Sequence, residues 1–261
     1  MLKEILLLLC GSIIVFGHYD LRQMKIGAWL SGAAYCGKSN YKKMVLGGDA
    51  TGFKVADVLY DVGTDLEGYT GVIEGEKMIY VVYRGSSSTL NWMADAEVNK
   101  VDYKSFPECG CKVHNGFYRS TQNIVNMTRM SVKMLKMKYS RYSLMITGHS
   151  YGAAVSQMIG MELMRDGEKP IVYNYGQPRT GEKKYGDFVN TVLMEYKRVT
   201  HNKDIVPHVP PIAEMEYMHS CGEVYENAEG ALKECSEVNC EDPNCSDQYR
   251  LIETNGEDHG Y

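Results

Sequence analysis

Gly148-His149-Ser150-Tyr151-Gly152 is the segment of this chain best suited to chemistry. It fits G-x-S-x-G, the nucleophile elbow, in which a serine sits on a sharp turn between a strand and a helix. The surroundings agree. Residues 142–147 read as a short buried strand, and residues 153–164 read as a helix with apolar positions near a 3.6-residue period. The two glycines would let strand and helix pass close together. The helix start would then offer backbone N–H groups and a positive dipole end to developing negative charge. A Gly/Ser-rich turn without chemistry is the plainer alternative, and the strand–turn–helix context weighs against it.

A serine hydroxyl is a poor nucleophile near neutral pH, so it needs a base, and the base needs a group to orient it. Where this elbow is used, the chain order is serine, acid, histidine. Downstream, Asp204 follows the predicted strand 197–200, so it would sit at the carboxyl edge of a parallel sheet; a turn aspartate is the competing reading. Four later histidines are candidates for the base: His201, His208, His219 and His259. The first two are too close to Asp204 in sequence to be the obvious third arm. His219 lies between apolar stretches and also fits a hydrogen-bonded core histidine. His259, in a polar loop late in the chain, is favoured by order and context, with His219 as runner-up.

The oxyanion of such a reaction needs donors already aimed at it. The N–H of Tyr151, just after the serine, is the usual first donor. Ser86 follows Arg84-Gly85 at the end of a strongly apolar strand and can offer both its N–H and its hydroxyl. A flexible Ser86-Ser87-Ser88 linker is the alternative. Residues 87–96 are amphipathic, with Leu90, Trp92 and Met93 among the apolar positions, and would suit a lid that opens at a lipid surface. Read alone, they suit an ordinary packed helix equally well.

The elements that must hold these groups alternate. Helices are expected over 20–35, 117–138 and 184–196, and strands over 54–61, 70–73, 78–83, 169–175 and 197–200. Such alternation argues for an α/β fold with a mostly parallel central sheet and helices on both faces. From Asn227 onward the pattern is loop-like. At 261 residues the chain suits one large domain.

The formal net charge of −5 gives no reason to expect nucleic acid as a partner. Residues 214–261 hold 13 acidic groups against Lys233 and Arg250, and are read as a solvated surface. Met1-Leu2-Lys3 and the apolar run from Ile5 to Phe16 resemble a signal peptide ending at Gly17, too short to span a bilayer comfortably. The expected organisation is therefore a signal peptide, 1–17, and a single domain, 18–261. Seven cysteines remain beyond Cys10, which suggests disulfides, with the odd one free, paired between chains or missing its partner. Cys235, Cys240 and Cys245 do not have a usual zinc spacing, and no metal is expected. Asn126-Met127-Thr128 is a glycosylation sequon.

Taken together, several segments resemble the class 3 (fungal-type) triacylglycerol lipases. They are Tyr83-Arg84-Gly85-Ser86-Ser87-Ser88 with Asn91-Trp92, Val113-His114-Asn115-Gly116-Phe117, the elbow, Tyr175-Gly176-Gln177-Pro178-Arg179-Thr180-Gly181, the run from Asp204 to Pro211, His219 through Tyr225, and Asp258-His259. The resemblance implies an α/β-hydrolase fold with a short helical lid at about 87–96. It implies Ser150 as nucleophile, Asp204 as acid and His259 as base, with Ser86 and the N–H of Tyr151 as the oxyanion hole. His219 falls outside the catalytic set in that pattern. Cys36 is implied as the unpaired cysteine, whereas nothing in the resemblance pairs Cys109 or Cys111. No cofactor is implied.

The expected activity is that of a secreted serine esterase cleaving acylglycerols through an acyl-enzyme. Phospholipids cut at the first acyl position and aryl esters are alternative substrates within the family. A peptidase and a catalytically dead lipid-binding module are readings of other classes. The expected partner is a lipid or ester substrate, met by a monomer with no stable membrane span.

Overall fold

Strand β3, Met78–Tyr83, shows why a central sheet forms. All six residues are buried and apolar. Ile79, Val81 and Tyr83 enter one core, whereas Met78, Tyr80 and Val82 enter another on the opposite face. A strand buried on both faces reads as a continuous apolar run, the mark of the interior of a parallel sheet. Around it the computed structural model describes residues 19–86 and 98–260. The signal peptide expected at 1–17 and the lid residues Leu90, Trp92 and Met93 lie outside the described residues.

The main sheet has eight strands. A hairpin of β1 (Phe53–Asp61) and β2 (Leu66–Ile73) joins β3 antiparallel. From β3 the sheet continues in parallel through β6 (Ser143–His149), β7 (Pro170–Tyr175), β9 (Glu195–His201) and β11 (Glu223–Glu226). The short antiparallel β12 (Leu232–Glu234) closes the far edge. One face is covered by α1 (Leu21–Ala33), whose Met24, Ile26 and Leu30 pack on Tyr80, Met145 and Tyr173. The other is covered by α2 (Asn115–Lys138), α3 (Tyr151–Arg165) and α4 (Lys183–Val192). This is the mostly parallel sheet with helices on both faces that the sequence predicts.

Three expectations change. The helix expected over 184–196 stops at Val192, and Tyr196 instead belongs to β9, paired with Val172 and bonded through its hydroxyl to Gln177. Sheet pairing overrides local helical pattern there. A second, four-stranded sheet escapes the sequence: β4 (Lys100–Asp102), β5 (Lys112–His114), β8 (Gly181–Glu182) and β10 (Tyr217–Met218). Its strands of two or three residues are too short to show an alternation. The acidic C-terminal segment is not simply a solvated face either. Glu223 and Glu241 are buried, where Arg198 and Arg179 neutralise them. Burial of a carboxylate is tolerated only with such a partner.

Disulfides join Cys109 to Cys111, Cys221 to Cys240 and Cys235 to Cys245, and Cys36 is free and exposed. Among the described residues, no helix is long and apolar enough to cross a membrane.

Candidate active site

β6 ends at His149 and α3 begins at Tyr151, so Ser150 is the whole turn between them. Its backbone sits at φ +59°, ψ −128°, a conformation that costs a non-glycine residue about 1–3 kcal/mol. The glycines on either side make the turn possible. A Cβ on Gly148 would lie 2.5 Å from the Gly152 carbonyl oxygen and 2.6 Å from Ser156 Oγ. A Cβ on Gly152 would lie 2.6 Å from the carbonyl oxygen of Arg84. The Ser150 N–H donates to Tyr175 O at 2.9 Å, which ties the turn to the end of β7.

Asp204 and His259 come from loops 55 residues apart and meet at 2.8 Å, Oδ2 to Nδ1, with both residues buried. Asp204 Oδ1 accepts the Val206 N–H at 2.8 Å, so each carboxylate oxygen has a donor. The two loops are stitched by backbone: Ile205 N–H donates to Asn255 O at 3.1 Å, and Asn255 N–H to Lys203 O at 2.9 Å. Asp258 adds a carboxylate that accepts from Asn255, Asn202 and the Lys203 N–H. Burial pushes the Asp258 carboxyl upward, but these hydrogen bonds outweigh it and leave it below its ordinary value. An imidazole whose Nδ1–H is held by a carboxylate presents Nε2 as its basic atom. Among the described residues, neither His259 Nε2 nor Ser150 Oγ has a hydrogen-bond partner, although both are buried. They are two of nine such atoms among the described residues, and their place sets them apart: one is on the strained turn of the elbow and the other on the ring held by Asp204.

Two residues without a role in the sequence reading complete this neighbourhood. His149, the variable position of the elbow, bonds Tyr35 Oη through Nδ1 at 2.7 Å and the His259 carbonyl through Nε2 at 2.8 Å. The carbonyl can only accept, so Nε2 carries the proton and Tyr35 donates to Nδ1. Burial, assisted by the nearby His259, lowers the His149 imidazole to about 3, so it stays neutral. Gly176, at φ +54°, forms the floor: a Cβ there would lie 2.7 Å from His259 Cε1 and 3.0 Å from Asp204 Oδ2. Neither was detectable in sequence, since the elbow pattern leaves its second position open and a strand-end glycine reads only as a turn.

Ser86 lies three residues beyond β3 and shares one cavity wall with His149 and His259. Gly85 permits this approach, because a Cβ there would fall 2.8 Å from Ser150 Cβ and 2.9 Å from His149 O. The preceding Arg84 is anchored by Glu67 at 2.9 Å. Tyr151 opens α3, with its hydroxyl donating to Gly116 O at 3.0 Å. His219, the runner-up base, is elsewhere: it is buried, with Nε2 bonded to Pro207 O at 2.8 Å, as a core histidine would be. His208 is also buried, and its carbonyl binds Arg179.

A serine turn at the carboxyl end of a mostly parallel sheet, sandwiched by helices, defines an α/β-hydrolase fold. Residues 80–214, a little over half of the chain, match the family Lipase (class 3). The chain belongs to that family. Rhizomucor miehei lipase is 36% identical over 157 residues, which are 58% of this chain and 42% of that protein. Secreted mono- and diacylglycerol lipase 1 of Fusarium solani is 30% identical over 162 residues, 62% of this chain and 48% of that one. The chain thus spans a little under half the length of these curated relatives. Among solved structures, the Rhizomucor miehei lipase propeptide complex is 27% identical with a TM-score of 0.82, over 92% of this chain and 78% of that one. A triacylglycerol lipase whose catalytic centre is described as a serine protease triad is 28% identical with a TM-score of 0.83, over 92% of both chains.

Proposed function

We propose that this chain is a secreted serine esterase that hydrolyses acyl esters of glycerol. The observation that carries the reading is the pairing of a strained, glycine-flanked Ser150 with a buried Asp204–His259 couple whose Nε2 is left without a partner. In this mechanism Ser150 Oγ attacks the ester carbonyl and His259 Nε2 takes its proton. Asp204 holds the ring in the tautomer that can accept it and stabilises the imidazolium. The N–H of Tyr151, with the N–H and hydroxyl of Ser86, receives the charge that builds on the carbonyl oxygen. His259 then returns the proton to the leaving alcohol, and water attacks the acyl-enzyme by the same route to release the fatty acid. Every step uses side chains and backbone alone. The three disulfides support passage through an oxidising compartment, in keeping with a signal peptide at 1–17. A monomer with its domain at 18–261 and a lid at 87–96 carrying Leu90, Trp92 and Met93 complete the proposal.

The test is hydrolysis of emulsified triglyceride, dispersed diglyceride and dispersed phospholipid, beside the Ser150→Ala variant. Turnover that disappears in the variant supports the serine mechanism, and the ratio among substrates names the ester class. A folded wild type that turns over none of them, nor an aryl ester, sinks the reading.

A further inference from the structure

The C=O of Gly85 and the N–H of Ser86 belong to one planar trans peptide, so they point in opposite directions and turn together. Whatever holds that carbonyl therefore aims that N–H. The holder is the neighbouring side chain: Arg84 Nε donates to Gly85 O at 3.2 Å. The Arg84 guanidinium, largely buried, is held from behind by Glu67, a residue of β2 that is only 5% exposed. Glu67 Oε2 lies 2.9 Å from Arg84 Nη1, and the Glu67 backbone carbonyl accepts the Arg84 N–H at 2.9 Å. Oε1 of the same carboxylate accepts from Lys38 Nζ at 2.9 Å, and Oε2 accepts the Lys38 N–H at 3.1 Å. Burial pushes the Glu67 carboxyl upward, but Lys38 and Arg84 outweigh it and leave it below its ordinary value, so it is ionised near neutral pH. Gly85 also backs onto the elbow, where a Cβ on it would fall 2.8 Å from Ser150 Cβ. A buried arginine–glutamate pair is often only a structural tie. This one ends on the peptide that carries a proposed oxyanion donor. A guanidinium can span that gap because its rigid fork offers Nε to one acceptor and Nη1 to another.

We propose that Glu67 and Arg84 are positioning residues that aim the Ser86 N–H at the carbonyl oxygen of the ester. This rests on the esterase reading above and extends it to the groups that preset one oxyanion donor. A preset donor costs no reorganisation when charge develops, and a misdirected one forfeits most of its effect. Glu67→Gln keeps the size but offers one oxygen in place of two, so an NH2 must face either Arg84 or Lys38. Arg84→Lys keeps the charge but lacks the planar fork that reaches Glu67 and Gly85 O together. Both changes should therefore be felt in the transition state more than in substrate binding.

Two quantities test this, each scaled to the active sites titrated to completion with a fluorophosphonate. The first is the pair kcat and KM for p-nitrophenyl butyrate. Relative to wild type, kcat is expected to fall about tenfold in Glu67→Gln and about a hundredfold in Arg84→Lys, with KM changed less than about twofold. The second is the Kd of butylboronic acid, read by calorimetry. Ser150 Oγ adds to the boron as its proton passes to His259, and the tetrahedral anion formed presents an oxygen to the oxyanion donors. That Kd is expected to rise by nearly the factor through which kcat falls. Glu162→Gln is the control, because Glu162 is also buried and bound to Arg129 and Arg165, at 2.9 and 2.7 Å, but its ties lie within α2 and α3. It should lower Tm and leave both quantities unchanged. Wild-type kcat and boronate Kd per titrated site in Glu67→Gln and Arg84→Lys overturn the positioning role and leave an active esterase intact. Losses no larger than those of Glu162→Gln do the same. A wild type that neither turns over the ester nor binds the boronate removes the esterase reading, and the positioning role with it.

Discussion

Tyr35 Oη and His149 Nδ1 lie 2.7 Å apart, and through that contact a residue at the end of α1 helps to hold His259. His149 passes the constraint on in two ways. Its Nε2 grips the His259 carbonyl at 2.8 Å, and its ring lies over the His259 ring with centroids 4.3 Å apart. Because His149 is neutral, it can support an imidazolium without opposing its charge.

On the proposed mechanism, this makes His149 and Tyr35 positioning residues. His149→Phe keeps an aromatic ring beside His259 and loses both hydrogen bonds, and should lower kcat about tenfold with a smaller change in KM. His149→Gln, which can still donate to the carbonyl, should recover most of the loss. Tyr35→Phe should add little on top of His149→Phe, because both act through one carbonyl. Full additivity, or a loss confined to KM, would refute the linkage.

Gly176→Ala should be more damaging than its size suggests. The new methyl must share space with His259 Cε1 and Asp204 Oδ2, and φ +54° is unfavourable for alanine. Displacing the couple by about 1 Å should cost about a hundredfold in ester turnover, beyond any loss in Tm. A variant with wild-type turnover would show that the glycine is not the floor of the site.

Glu241 is the buried anchor of the disulfide-held C-terminal segment. Its two oxygens meet Arg179 Nε and Nη2 at 2.9 Å each, and it also accepts the His219 N–H at 2.8 Å. Glu241→Ala removes the bidentate partner of Arg179 and leaves only Asp247, 3.7 Å from Nη2, to offset the buried charge, which should destabilise the fold by about 3 kcal/mol in denaturant titration. A change below about 1 kcal/mol would mean that solvent reaches the guanidinium.

Stability should fall with acid before the carboxylates titrate. Burial lowers His114 and His208 to about 4 and His149 to about 3, so the folded protein keeps them neutral. The unfolded chain protonates its histidines near 6.5. Below that pH it binds more protons than the folded state, so stability is full above about 6.5 and drains away as pH falls toward 4. Thermal melts should show a plateau above neutrality and a steady fall in Tm from about pH 6.5 to 4. The slope should lessen in His208→Gln; a Tm independent of pH across that window would contradict the assignment.

Sequence pattern carried the long elements well, because β3, β6 and β7 are buried on both sides and α2 and α3 show helical spacing. It also singled out Ser150, Asp204 and His259, the latter two of which the fold brings into contact. What it missed depends on proximity across the chain. Nothing local marks Gly176 as facing His259, or separates Glu241 from the solvated acids around it. The second sheet is built from strands too short to have a period, and Tyr196 joins a strand because its neighbours in space demand it.

The stitching of the Lys203–Asp204 loop to Asn255 has a consequence for the order in which this protein comes into being. The segment bearing Ser150 leaves the ribosome about 110 residues ahead of His259. Until that late segment has emerged and laid itself along the Asp204 loop, Ser150 lacks the base proposed for it and Asp204 has no ring to hold. A chain interrupted in synthesis, or clipped between the two loops before they dock, would carry the elbow without the means to use it. On the esterase reading proposed above, turnover of esters would thus be withheld until both loops have been made and have docked.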